Sequence, residues 1–271
     1  MAYFRHTELA GDERQRLRAA FKTAQPFPHA VLDDFVTVGP DEVLPSFPDK
    51  DWDRWVWLTE TYQSGKASCS EIEAIPPPLS DMLEELAAPS FLSFLEELSG
   101  FEALIPDPHL DGGGLHMSAS GGILAPHSDF HIYPRLALYR RLNVLVYLNP
   151  DWQAEYGGNL VLYNEDETPA KSITPVWGRC VMFATDDRSV HGFPDPVVDG
   201  RTRRSVATYY YTSQEAETFS GDTTTHWRQH GEERMRPVAR ARLSAYKGLL
   251  SGSRGLSRAA HFVNPNKRQR R

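Results

Sequence analysis

The sequence predicts a mainly β fold with flanking helices, in which an antiparallel sandwich or barrel is backed by helical segments. After Asp111 the chain contains a series of short runs rich in β-forming residues, which glycines and prolines separate. Short strands with turn signals and no helices between them are typical of antiparallel sandwiches and barrels. Clear helical periodicity, in contrast, precedes this series. The predicted strands are 123–125, 142–148, 159–163, 179–184 and 205–212.

Two amphipathic helices are predicted directly before the β series. Apolar residues recur there at positions i, i+3, i+4 and i+7, which places them on one face of a helix. The prolines at 76–78 mark the start of the first helix, and Gly100 can end the second. A weaker helix is predicted over 12–22. The two apolar faces consist of Leu79, Met82, Leu83 and Leu86, and of Phe91, Phe94, Leu95 and Leu98.

Composition excludes several classes of protein. The chain of 271 residues is long enough for one large domain and has too much apolar surface to be disordered. Its two cysteines, Cys69 and Cys180, exclude a disulfide scaffold and a cysteine-rich zinc site. No apolar run approaches the ~18 residues of a membrane span, and the first 21 residues lack the apolar segment of a secretory signal. We therefore expect a cytoplasmic protein that does not bind membranes.

Charge is divided unevenly along the chain. The whole protein has a net charge of −7, yet residues 228–271 contain twelve Lys or Arg and only two Glu. Few aromatic residues are interleaved with these cations, so we expect no nucleic-acid partner. We predict a single domain over 1–250 and a flexible basic tail over 251–271, and the oligomeric state stays open. The domain divides into a helical segment over 1–109, a β core over 110–212 and a helical or coil segment over 213–250.

Four histidines begin a His-x-acid triplet, at positions 6, 109, 127 and 230. On a strand, residues i and i+2 point to the same face, so both side chains of such a triplet can bind one metal ion. Two of the triplets lie in predicted helices, where i and i+2 do not share a face. The third, at His109 and Asp111, lies in a glycine-rich loop and remains an alternative. The fourth ends a predicted strand, which favours His127 and Asp129 as metal ligands.

His191 is the candidate for the third ligand, because it follows the predicted strand 179–184. Two histidines and one carboxylate on one side of an ion leave open coordination positions. This donor set suits non-haem Fe(II) with room for oxygen and a chelating cosubstrate.

Alternation on two strands indicates a polar pocket. Asn143 and Tyr147 point away from the aliphatic face of their strand, so we assign both to the pocket. On the strand that begins at residue 204, Arg204 and Thr208 share a face, and we assign them to the pocket as well. An arginine there can hold a carboxylate in a bidentate pair. The nearby cations at positions 201 and 203 remain alternatives for that role.

These elements resemble the Fe(II)/2-oxoglutarate-dependent dioxygenases, in particular their prolyl-4-hydroxylase-like branch. The similarity covers about residues 110–212, where the order and spacing of the motifs match those of the family. Tyr-Leu-Asn followed by Gly-Gly-x-Leu is much more specific than His-x-Asp alone. The matching segments are His127-Ser128-Asp129, Leu142 to Pro150, Gly157 to Tyr163, His191, and Arg204 to Tyr211.

The resemblance implies a double-stranded β-helix, a jelly-roll variant, as the core. It implies His127, Asp129 and His191 as the Fe(II) ligands, with 2-oxoglutarate and O2 as cosubstrates. Arg204 matches the basic residue that pairs with the distal carboxylate of 2-oxoglutarate, and Tyr147 matches a tyrosine that hydrogen-bonds the same carboxylate. Asn143 and Thr208 would lie near this cosubstrate. Met117 stands where some relatives carry a pocket tyrosine.

The implied activity is hydroxylation of an unactivated C–H bond, with release of succinate and CO2. Resemblance to prolyl hydroxylases implies a prolyl residue, a free amino acid or an amino-acid-like small molecule as substrate, with L-ascorbic acid as an accompanying reductant. An intact Asp129 favours hydroxylation or desaturation over halogenation, because related halogenases replace this carboxylate with a small residue. Two alternatives remain: a jelly-roll metal enzyme without a cosubstrate, and a non-catalytic sensing or interaction module.

Overall fold

Thirteen strands form one curled antiparallel sheet in the computed structural model, which describes residues 2–60, 62–133, 135–213 and 225–227. The strands are β1 (His29–Leu32), β2 (Val56–Glu60), β3 (Gln63–Cys69), β4 (Ile105–Pro106), β5 (Gly114–Ser128), β6 (Ile132–Tyr133), β7 (Leu138–Tyr147), β8 (Leu160–Tyr163), β9 (Pro169–Ile173), β10 (Cys180–Ala184), β11 (His191–Phe193), β12 (Arg203–Thr212) and β13 (His226–Trp227).

The long strand β5 belongs to both halves of the fold. The main path of the sheet runs β1-β10-β7-β12-β5-β11-β8-β9. The first half of β5 pairs with β12 and its second half with β11 and β13, whereas β3 pairs with residues of both halves. Between the halves a Cβ at Gly122 would lie 2.7 Å from the Ala119 carbonyl oxygen, so glycine permits this bend. The sheet curls on itself as a double-stranded β-helix, which confirms the predicted fold class.

Four α-helices accompany the sheet within the described residues: α1 (Gly11–Thr23), α2 (Pro40–Val43), α3 (Leu79–Leu86) and α4 (Pro89–Ser99). The two amphipathic helices lie where their periodicity predicts them, and α4 ends at Gly100 with a φ of 80°. The weaker helix predicted over 12–22 is α1. The predicted apolar faces of α3 and α4 are buried.

The helices cover one face of the main sheet. Val144 on β7 and Val206 on β12 belong to the same buried cluster as Phe91 and Phe94 of α4. Tyr210 of β12 is fully buried, and its hydroxyl donates a hydrogen bond of 2.7 Å to the Leu86 carbonyl oxygen at the end of α3. The opposite face of the sheet, inside the curl, is left for polar side chains.

The N-terminal segment is less helical than the sequence predicts, because β2 and β3 form an antiparallel hairpin there. β3 pairs with β5 from Gln63 to Cys69. The segment is polar and lacks a clear alternation, so its strands depend on long-range pairing rather than on local pattern. The strand predicted at 123–125 is also only the end of the much longer β5.

The predictions for 213–250 and 251–271 fall mostly outside the described residues. What is described after Thr212 is Ser213 and the short segment that contains β13. The described residues lie in one unit that ends at Arg228. Within the described ranges, no helix combines the length and the hydropathy needed to cross a bilayer.

Candidate active site

His127 on β5 and His191 on β11 are directly opposed partners in the antiparallel ladder, and their ring centroids lie 4.4 Å apart. Asp129 comes two residues after His127, just beyond the end of β5. Its carboxylate oxygens lie 3.5 Å from His127 Nε2 and 3.7 Å from His191 Nε2. The ligand atoms of all three residues lie within 4.8 Å of one another. The structure thus brings the three predicted ligands together.

Backbone carbonyl groups determine which nitrogen of each histidine is free. His127 Nδ1 lies 2.9 Å from the Ala125 carbonyl oxygen, and His191 Nδ1 lies 3.0 Å from the Ser189 carbonyl oxygen. A carbonyl oxygen only accepts hydrogen bonds, so each Nδ1 carries the hydrogen and donates it. The other nitrogen of each ring, Nε2, therefore faces Asp129, as in a metal-binding histidine.

The protonation states also suit a cation. Burial lowers the pKa of His191 to about 4, with a further lowering from the neighbouring His127, so its ring is neutral near pH 7. Burial alone would raise the pKa of Asp129. Arg140 and the two histidines outweigh that effect and hold the pKa well below the usual range. The site therefore offers a carboxylate and neutral imidazole nitrogen without first losing a proton.

Asn143 on β7 orients the carboxylate ligand. Its Nδ2 donates a hydrogen bond of 2.5 Å to Asp129 Oδ2, and its Oδ1 accepts one of 3.3 Å from the Thr185 hydroxyl. The sequence assigned Asn143 to the cosubstrate, whereas its amide is engaged by Asp129. It lines the pocket as predicted, but as a residue that positions a metal ligand.

The three ligands line a cavity of about 200 Å³ inside the curl. Three cationic side chains face the same cavity, namely Lys66 of β3, Arg140 of β7 and Arg203 of β12. Aromatic side chains cover the metal end: Trp227 lies 4.8 Å from the His127 ring, centroid to centroid, and stacks on Tyr62. The cavity is therefore positively charged and partly closed by aromatic rings.

Arg203, and not Arg204, points into this cavity. Arg203 is buried, its Nε donates to the Gly158 carbonyl oxygen at 2.8 Å, and its Nη2 lies 3.3 Å from the Tyr147 hydroxyl. Arg204 lies on the reverse face, with its guanidinium 5.4 Å from the Phe47 ring centroid in a separate cavity. Arg204 therefore does not line the cavity with the metal ligands, contrary to the prediction, and the alternative Arg203 does.

Alternation along β12 explains this correction and a second one. Arg204 has the parity of Val206 and Tyr210, which pack in the core against the helices. Thr208 has the same parity and pairs with Val144 of the aliphatic face, so it too is buried away from the cavity, contrary to the prediction. The pocket-facing set of β12 is Arg203, Ser205 and Tyr209.

The remaining alternatives lie elsewhere. Arg201 is exposed, with its guanidinium 4.0 Å from the Tyr156 ring centroid. His109 Nδ1 accepts a hydrogen bond of 2.9 Å from, or donates one to, the Tyr133 hydroxyl, and Asp111 is exposed. Among the described residues, the cluster at His127 is the group of side chains arranged for a metal ion.

Sequence reasoning missed several residues that line the cavity. Lys66 lies on a strand that the sequence did not predict, so no local signal identified it. Tyr209 shares the parity of Arg203, which the sequence kept as an alternative, so the alternation of β12 could have identified it. Met117 faces the second cavity, and its neighbour His116 lines the pocket instead. Burial lowers the pKa of His116 well below its usual value, which keeps the ring neutral.

Fold and site together define a class: a double-stranded β-helix protein with a two-histidine, one-carboxylate metal centre. The sequence profile of the 2OG-Fe(II) oxygenase superfamily matches residues 113–212, the segment that holds all three ligands. The match places the β core of the chain in this superfamily, in which Fe(II), 2-oxoglutarate and O2 act together. The donor set found here fits Fe(II), because two imidazole nitrogens and one carboxylate oxygen meet on one side of a common point.

Curated relatives share only a fraction of their length with this chain. It is 30% identical over 148 residues to "Prolyl 3,4-dihydroxylase OGFOD1" of Ostreococcus tauri, a match that covers 51% of this chain and 27% of that protein. The chain thus spans about a quarter of the length of this relative.

Solved structures with a similar fold include enzymes with different reactions. A prolyl hydroxylase of Trichoplax adhaerens, in complex with a hypoxia-inducible-factor peptide, has a TM-score of 0.54 and 17% identity, covering 74% of this chain and 91% of that one. The 2-oxoglutarate-dependent epimerase SnoN of nogalamycin biosynthesis has a TM-score of 0.52 and 17% identity, covering 84% and 91%. At these identities the likeness shows the fold alone.

Proposed function

We propose that this protein is a non-haem Fe(II)- and 2-oxoglutarate-dependent oxygenase that hydroxylates an unactivated C–H bond of a prolyl residue or an amino-acid-like molecule. The supporting observation is the cluster of His127, Asp129 and His191 inside the curl, within the segment that matches the superfamily. A fold by itself hosts many reactions, so the site has to support the function.

The three ligand side chains are already arranged to bind a metal ion. His127 Nε2, His191 Nε2 and the Asp129 carboxylate would hold Fe(II) from one side and leave the cavity side open. When bound there, Fe(II) and 2-oxoglutarate supply O2 activation coupled to oxidative decarboxylation, which yields succinate and CO2. The intact carboxylate at position 129 favours hydroxylation over halogenation.

Arg203 and Tyr147 support a binding site for the distal carboxylate of 2-oxoglutarate. Both lie deep in the fold, on adjacent strands, and offer N–H and O–H donors to an anion. A guanidinium beside a phenol can bind a carboxylate by charge-assisted hydrogen bonds. The ligand would extend from there toward the metal site, where its 2-oxo acid end can chelate.

The position of Arg140 supports a substrate that carries a hydrogen-bond acceptor. Its guanidinium is fully buried and lies 3.4 Å from the Tyr209 ring centroid and 4.5 Å from that of Phe130. Nη1 lies 3.6 Å from Asp129 Oδ1, whereas Nε and Nη2 have no hydrogen-bond partner among the described residues. Buried unpaired donors are costly, and a carbonyl or carboxylate oxygen of an amino-acid-like substrate would satisfy them beside the metal.

Because the similar proteins include prolyl hydroxylases, the proposal includes a prolyl substrate, either within a peptide or as the free amino acid. A cytoplasmic location and support of the iron by L-ascorbic acid belong to the same proposal and rest on the resemblance alone.

The test is metal-dependent formation of succinate. Purified protein with Fe(II), O2 and 2-oxoglutarate should form succinate, faster with free proline or a prolyl peptide present, and His127→Ala should abolish the reaction. Succinate formation that is absent in the wild type, or unchanged in His127→Ala, would overturn the proposal.

Two other functions give different results. A jelly-roll metal enzyme without a cosubstrate would bind Mn(II) but not 2-oxoglutarate. A non-catalytic module would bind neither Fe(II) nor Mn(II) in a metal titration.

A further inference from the structure

Lys66 is a cation in the cavity for which the proposed reaction has no role. It is half-buried on β3, in the hairpin that pairs with β5. Among the described residues, no hydrogen bond or ion pair engages its ammonium group. An unpaired ammonium inside a cavity is costly unless an anion joins it.

The register of the sheet places Lys66 in line with Arg203. Lys66 of β3 is the ladder partner of Ser118 on β5, and Ser118 is the ladder partner of Arg203 on β12. The three residues form one row across adjacent strands, so their side chains share a face of the sheet. The outer two are about 9–10 Å apart at Cα, because neighbouring strands lie about 4.8 Å apart.

The residue in the middle of this row has a small side chain. Ser118 is buried and carries only a hydroxymethyl group, whereas a long cationic side chain rises on each side of it. Both cationic side chains line the cavity. Because the residue between them is short, the two cationic side chains can contact a single carboxylate from opposite sides.

The electrostatics of Lys66 agree with this position. Its pKa is lowered to about 8, first by burial and then by repulsion from Arg203, while Asp129 acts in the opposite direction. The ammonium therefore lies within the influence of Arg203 at one end of the cavity and of the metal ligand at the other. His116, the other titratable neighbour on β5, is neutral and does not offset the two cations.

We propose that Lys66 and Arg203 together bind the distal carboxylate of 2-oxoglutarate, in the cavity that both side chains line. The inference rests on the proposed function and adds a second cation, supplied by the β2–β3 hairpin, to the cosubstrate site. The hairpin thereby contributes to cosubstrate binding, and Lys66 binds the ligand rather than only lining the cavity.

The test compares two ligands that differ only at the distal end. 2-Oxoglutarate has the distal carboxylate, whereas 2-oxopentanoate carries a methyl group there and keeps the metal-chelating end. Dissociation constants of both are measured by calorimetry on the Mn(II)-loaded full chain, which avoids turnover. The variants are Lys66→Met and Lys66→Arg, with Lys50→Met as the control because Lys50 is exposed and lines the separate cavity near Arg204.

We expect Lys66→Met to lower the affinity for 2-oxoglutarate about tenfold or more, as loss of a charge-assisted hydrogen bond does. The affinity for 2-oxopentanoate should not change. Lys66→Arg should retain much of the affinity, and Lys50→Met should match the wild type. Equal weakening of both ligands, or of neither, would overturn the role of Lys66. If the wild type binds Mn(II) but not 2-oxoglutarate, the proposed function fails and this inference fails with it. Melting temperatures of the variants show whether each one is folded.

Discussion

The Arg203 guanidinium and the Tyr147 hydroxyl lie 3.3 Å apart in the protein interior, measured from Arg203 Nη2 to the phenol oxygen. They come from adjacent strands, since Tyr147 of β7 is the ladder partner of Ser205 on β12. The guanidinium also lies 4.4 Å from the Phe193 ring centroid. Two strands and an aromatic ring thus hold in place the two side chains that we propose as ligands of the distal carboxylate.

Substitution of the two neighbouring arginines should separate their roles. Arg203→Gln should lower the affinity for 2-oxoglutarate by about tenfold to a hundredfold, because the substitution removes a guanidinium from a buried site. Arg204→Gln should leave the affinity within about twofold, because this side chain lies against Phe47 on the reverse face. Calorimetry with Mn(II)-loaded protein measures both, and greater weakening by Arg204→Gln would refute the assignment.

Asn143 should matter for metal affinity more than for cosubstrate affinity. Asn143→Ala removes the hydrogen bond to Asp129 Oδ2, so the carboxylate is no longer held in its binding orientation. Loss of such an outer partner costs about tenfold to a hundredfold in metal affinity. Titration with Mn(II) measures the effect, and Asn164→Ala, an exposed asparagine, is the control. Unchanged Mn(II) affinity in Asn143→Ala would contradict this role.

Trp227 should report metal binding by its fluorescence. Its ring lies 4.8 Å from that of His127, so a quenching ion such as Ni(II) at the ligands would lie close to the indole. Trp227→Phe should remove most of the Ni(II)-dependent quenching, whereas Trp152→Phe should retain it. Equal quenching in both variants would show that Trp227 does not cover the metal site.

Lys66 should make the stability of the metal-free protein depend on pH. Its folded-state pKa of about 8 lies below the unfolded value of about 10.4, so the unfolded chain binds more protons between these values. The free energy of unfolding contributed by this group therefore rises with pH across that window. Below about pH 8 the buried ammonium opposes folding at full strength.

Urea unfolding of the wild type and of Lys66→Met, at about pH 7.5 and about pH 9.5, measures this contribution. Lys66→Met should be the more stable protein at the lower pH, and its advantage should shrink at the higher pH. Other titrating groups are common to both proteins and cancel in the difference. A difference that is constant across the two pH values would contradict the shifted pKa.

Local pattern was sufficient for the helices and for some strands of the sheet. The periodicity of α3 and α4 matches their observed bounds, because a buried helical face requires apolar residues at that spacing. The aliphatic alternation of β7 likewise identified its core-facing side. The polar hairpin β2–β3 escaped prediction, because its strands are stabilised by pairing with β5 and not by an alternating pattern.

Residue type, order and spacing were enough to predict the fold class, the His127–Asp129 pair with His191, and the family. Which arginine enters the cavity could be read only from the folded chain, since a shift of one residue along β12 moves a side chain from the cavity to the core. The tertiary structure alone also placed Lys66 in line with Arg203, because that row spans three strands far apart in the chain.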